Sequence, residues 1–113
     1  MKKILFSAAF FIIVSSSAFA VESTTQAISD ANSMARAAQE FVMQAEKILE
    51  TNPDRSKVEL ALSFYAKAGE LFERSYKIYA TLGPSYVSQQ DIDGARAATQ
   101  NCVNNINELR KRL

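Results

Sequence analysis

The stretch that decides the fold runs from Ser56 to Leu82, SKVELALSFYAKAGELFERSYKIYATL. Stepped at about 100° per residue, Val58, Leu60, Ala61, Leu62, Phe64, Tyr65, Ala68, Leu71, Phe72, Tyr76, Ile78, Tyr79 and Leu82 fill an arc of roughly 200°. Glu59, Ser63, Lys67, Glu70, Glu73, Arg74, Lys77 and Thr81 fill the remainder. A helix that meets one neighbour needs a narrower stripe, so this arc predicts a helix covered on two sides. On the polar side, Glu70 and Arg74, and Glu73 and Lys77, stand at i,i+4 with the acid first. In this order the pairs stabilise a helix by a few tenths of a kcal/mol each, which marks a solvated surface there.

Working outward toward the N-terminus, Thr51-Asn52-Pro53-Asp54 breaks the pattern, and Ser56-Lys57-Val58-Glu59 has the form of a capping box that starts the central helix. Before the break, Ala27, Ile28, Ala31, Met34, Ala35, Ala38, Phe41, Val42, Ala45, Ile48 and Leu49 share one face at helical spacing. Ser23, with Gln26 three residues on, predicts where that helix begins. Its many alanines predict a close approach to the central helix, with the rings of the latter filling the space. A connection of about five residues folds the two helices back on one another.

Toward the C-terminus, Gly83-Pro84 ends the central helix, and Ser85 to Gln90 has room for one turn carrying Tyr86 and Val87. From about Asp91 a last helix has Ile92, Ala95, Thr99, Cys102, Ile106, Leu109 and Leu113 at alternating three- and four-residue steps, a narrow seam. The expected fold is all-α, an antiparallel three-helix bundle.

The chain opens Met1-Lys2-Lys3, continues with an apolar run from Ile4 to Val14, and reaches small residues at Ala18 and Ala20. These are the parts of a secretory signal peptide, and the run is short for a bilayer span, so cleavage is expected after Ala20. The expected organisation is a signal peptide over residues 1–20 and a single helical domain over 21–113, in a periplasmic or secreted protein. Loss of Lys2 and Lys3 shifts the net charge from +1 to −1, with both signs interspersed. That balance supplies no electrostatic reason to expect nucleic acid as a partner, or a membrane once the signal is removed. Arg110-Lys111-Arg112, the one basic cluster, complements the dipole at the end of the last helix. Cys102 is the only cysteine and falls on the apolar seam, so it is expected to be a buried small side chain. Stability must then come from helix packing and not from an intrachain disulfide.

No histidine is present, which removes the commonest neutral-pH base and the usual nitrogen ligand of transition metals. Gly69, Gly83 and Gly94 are too scattered to form a phosphate loop. Asp91 and Asp93 flank a helix start, where acids are stabilising without any catalytic role. Glu46 and Glu50 share a face but lack a third ligand nearby. Neither an enzyme, a cofactor nor a metal site is expected. What stands out is polar: Gln100, Asn101, Asn104, Asn105 and Asn107 crowd the outer side of the last helix, although Asn is a poor helix former. With Tyr86, the aromatic outside the long helices, they form the candidate partner-binding surface.

One register of the chain has Ala61, Tyr65 and Ala68, then Tyr79-x2-Leu82-Gly83-x2-Tyr86, then Ala95. Over residues 61–102 this weakly resembles the tetratricopeptide repeat, and the step from Ala61 to Ala95 fits its period. Thr99 stands where that pattern has an aromatic and Asn107 where it has Pro, while Pro84 falls inside its first helix. The resemblance implies helical hairpins that dock other proteins, as an alternative to the plain bundle, and a bend of the central helix near Glu73 to Ser75.

These readings converge on an exported, non-enzymatic helical protein-interaction module, such as an adaptor or accessory subunit of an envelope or secretion system. A small-ligand carrier with an inter-helix cavity is the alternative from another class, and an inhibitor or immunity-type binding protein is a variant of the first.

Overall fold

A computed structural model describes residues 17–113 as three helices: α1 (Ser17–Leu49), α2 (Arg55–Leu82) and α3 (Gln89–Arg110), with no strand among the described residues. Helix α2 is the middle element. It packs along both neighbours, whereas α1 and α3 share no comparable contact with each other. Its buried residues are Val58, Ala61, Tyr65, Ala68, Phe72, Ser75 and Tyr79, a strict alternation of three and four residues. Leu62, Phe64, Leu71, Tyr76, Ile78 and Leu82 flank that stripe half-buried, so the broad arc is divided between two partners. Leu60 alone of the arc is exposed. Helix α2 is continuous through Glu73 to Ser75, without the bend that the repeat-like alternative implies there, and neither Gly nor Pro interrupts the hydrogen-bond ladder at those residues.

Toward α1, the contact is built from small side chains. Ala31, Ala38 and Ala45, seven residues apart, are fully buried, as are Ala61 and Ala68 of α2. Near one end Tyr79 donates a hydrogen bond from its hydroxyl to Asn32 Oδ1, and further along Phe41 stacks on Phe64 with centroids 5.9 Å apart. Lys67 sits above both rings, Nζ lying 5.6 Å and 5.8 Å from their centroids, a geometry that favours the ammonium. Toward α3, Gly69 lets the backbones close in: a Cβ added there would stand 3.3 Å from Cys102 Cβ. The seam of α3 buries Ile92, Ala95, Cys102 and Leu109, with Thr99 and Ile106 half-buried and Leu113 exposed.

Two helix starts differ from the sequence expectation. Helix α1, described from Ser17 onward, passes through Ser23 without a break. A capping box supplies partners for a helix start but does not impose one where the preceding residues, such as Ala18 and Ala20, are themselves helix-competent. Helix α2 is capped by Asp54 and not by Ser56: the Asp54 carboxylate accepts from Lys57 N–H at 2.9 Å. Asp is as good a cap as Ser, and it follows Pro53 directly, so the helix starts as soon as the chain is released from the turn. That turn holds Asn52 at φ 46°, a left-handed conformation that Asn tolerates better than most residues. The expected signal peptide, residues 1–20, lies almost wholly outside the described residues. Both acid-first pairs of α2 form, Glu70 with Arg74 at 3.2 Å and Glu73 with Lys77 at 3.5 Å.

Helix α2 stops at Gly83, whose N–H donates to Tyr79 O at 2.9 Å. Gly83 has φ 79° and ψ 178°, a region open essentially to glycine alone and distinct from the ordinary left-handed cap. A Cβ there would meet no atom within 4 Å, so the cost of a side chain is conformational and not steric. Gly83→Ala is therefore expected to destabilise by about 1–2 kcal/mol after the smaller unfolded-state gain is subtracted. Urea denaturation measures it, and an unchanged midpoint would show that the turn relaxes freely. Beyond Gly83, a turn places Tyr86 outside and Val87 inside, and Ser88 caps α3 by accepting from Asp91 N–H at 3.1 Å.

Candidate partner-binding groove

Because α1 and α3 both lean on α2 without closing on each other, a groove runs between them with α2 as its floor. Its larger part, about 610 Å³, is walled by Gln39, Val42, Met43 and Glu46 of α1 and by Ala98, Asn101, Cys102, Asn104 and Asn105 of α3, over Phe72. Toward the other end it continues past Ala35 and Gln39 on one side and Gln90, Asp91, Gly94, Ala95 and Ala98 on the other, over Phe72 and Tyr79. Met43 is the most exposed large apolar side chain among the described residues, at 63% of its surface. An exposed methionine over a buried aromatic floor, edged by amides, is the composition of a contact surface that adapts to its occupant.

Asn101, Asn104 and Asn105 are thus brought into one site with apolar neighbours. Gln100 and Asn107 are exposed but do not line the groove; Gln100 Nε2 instead donates to Asn104 Oδ1 at 3.1 Å and steadies that amide. Tyr86 is 62% exposed, in the turn before α3 and outside the groove lining. The α1 wall, Val42 and Met43 above all, is missing from the sequence-derived surface. The signal was present, since Met43 lies off the face that carries Ala38, Ala45 and Leu49, but it reads as a stray exposed residue until α3 is placed opposite.

Cys102 closes the floor on the α3 side and is 2% exposed. Burial pushes its thiol pKa up, so the nucleophilic thiolate is scarce as well as shielded. Burial also raises the Tyr65 phenol, with smaller contributions from Glu46 and Cys102. For both groups the folded pKa exceeds the unfolded one, so folding favours the protonated form. Their contribution is intact below the ordinary thiol range and is lost as pH rises above about 9. Stability is expected to be level through neutral pH and to fall in alkali. A maleimide probe should label Cys102 slowly in the native chain and rapidly in urea, and equal rates in the two would place the thiol at the surface.

Among the described residues no three His, Cys, Asp or Glu side chains gather into a metal-binding group, and no helix is long and apolar enough to cross a membrane. No protein-family model matches the chain, and neither does any curated protein or solved structure.

Proposed function

We propose that this is an exported, non-enzymatic helical module that binds another protein through the groove between α1 and α3. The architecture in this reading is an antiparallel three-helix bundle formed by residues 21–113 after a cleaved signal peptide. The pairing of Asn32 with Tyr79 and Phe41 with Phe64, and of Gly69 with Cys102 while Tyr79 clusters with Ile92 and Ala95, supports opposed helix directions, since residue numbers rise on one helix as they fall on the next. The observation that carries the reading is the meeting of Asn101, Asn104 and Asn105 with Val42, Met43 and Phe72 in one open groove. Amides that helix propensity disfavours there, set beside exposed apolar surface, suit an interface whose apolar centre has a hydrogen-bonding rim. The basic start and short apolar run of residues 1–20 support a periplasmic or secreted location, and in this reading the chain serves as an adaptor or accessory subunit of an envelope or secretion system.

A photo-crosslinking side chain at Asn104, introduced into the full chain in its own host, tests the docking site. It should form one defined protein adduct that the same probe at Glu59, remote from the groove, does not form. Adducts at neither position, or equally at both, would sink the reading. Mass spectrometry of the exported chain tests the leader, with a mature form beginning at Val21 as the expected result.

A further inference from the structure

The geometry points to the occupant of this groove: an amphipathic helix of about four turns with an apolar stripe and a basic residue near each end. This inference rests on the docking reading and deepens it by naming the partner's chemistry. The groove lies between two helices and along a third, so a fourth helix is the element whose side chains would interdigitate with it. On α1 its wall runs from Ala35 to Glu46, and on α3 from Gln90 to Asn105. At about 1.5 Å per residue these walls are roughly 18 and 24 Å long, the length of about 12 to 16 helical residues.

Charge then specifies the occupant. Among the described residues, Glu46 and Asp91 are the charged side chains that line the groove, one toward each end, and no Lys or Arg lines it. Neither makes an ion pair among the described residues, although Asp91 also stands in the first turn of α3, where the helix dipole favours an acid. An anionic occupant would be repelled from both ends, whereas a cation at each end of an apolar stripe would meet a carboxylate. Between the ends, Met43 and Phe72 take the apolar stripe, and the Asn101 and Asn105 amides border it.

Two synthetic 16-residue helical peptides test this, identical in a Leu stripe at three- and four-residue steps and differing in Lys or Glu at both ends. Titrated into the isotope-labelled full chain, the Lys peptide should bind about tenfold more tightly than the Glu peptide and should shift the backbone signals of Val42, Met43, Asn101 and Asn105. The double variant Glu46→Gln with Asp91→Asn should erase the preference while keeping the cooperative unfolding transition, its midpoint lowered slightly because α3 loses the acid of its first turn. Equal affinities, a preference for the Glu peptide, binding by neither, or shifts remote from the groove would each overturn the inference. Failure here leaves the docking reading standing where the Asn104 crosslink forms, and failure of that crosslink removes the docking reading itself.

Discussion

Replacing Phe72 with alanine is expected to remove about 3–5 kcal/mol of folding stability, a large share of the roughly 5–15 kcal/mol that holds a domain of this size together. Phe72 is a ring that both helix interfaces use. It belongs to the cluster that joins Ala38 and Ala45 of α1 to Cys102 and Leu109 of α3, it is 6% exposed, and it floors the groove along its length. Truncation leaves a hole bounded by three helices. The walls cannot easily close it, because the Gly69–Cys102 approach on one side and the buried alanines on the other already stand at minimum separation. Equilibrium urea unfolding followed by circular dichroism measures the loss. A loss below about 1 kcal/mol would mean that the helices shift together to refill the space, and α2 would then not be the rigid centre described above. Because the groove and the core share this residue, Phe72→Ala should also weaken any groove occupant, and Met43→Ala separates the two effects by altering the groove without touching the core.

How much of this was legible beforehand depends on what each residue reports. The arc from Val58 to Leu82 announces a helix with two neighbours because hydrophobic periodicity is local information, and the three- and four-residue seam of α3 is legible for the same reason. The exposure of Tyr86 was readable from Gly83-Pro84, and the burial of Cys102 from its place on the seam. Ser75 was not readable. It lies on the buried stripe between Phe72 and Tyr79 with its hydroxyl unpartnered among the described residues, and a serine is invisible to a count of apolar positions. It is there for size, since a larger side chain would hold the helices apart. Helix starts were misplaced where two capping residues compete, as Asp54 and Ser56 do, because the winner depends on where the preceding turn releases the chain. The groove was half legible. The amide-rich side of α3 can be read from sequence, but which residues of α1 stand opposite it depends on how both helices pack against α2, which is not local information. Only that packing brings Asn101 and Met43 to one groove.

Ala38→Leu is expected to destabilise by about 2–3 kcal/mol, the upper part of the range for overpacking a core. Ala38 is fully buried at the middle of the α1–α2 contact and clusters with Ala61 and Ala68, which are also fully buried. Three added carbons have nowhere to go except by forcing the helix axes apart along a seam that depends on small residues from Ala31 to Ala45. The same variant separates the docking module from a small-ligand carrier. A carrier whose cavity lay between the alanines of α1 and the rings of α2 would accept leucine as a filler, and its melting temperature would hold or rise. A fall in melting temperature therefore argues against a ligand cavity at the α1–α2 contact. The expected fall should also be larger than that of Val42→Leu, because Val42 is half-buried at the groove wall and its added carbon can turn toward open space.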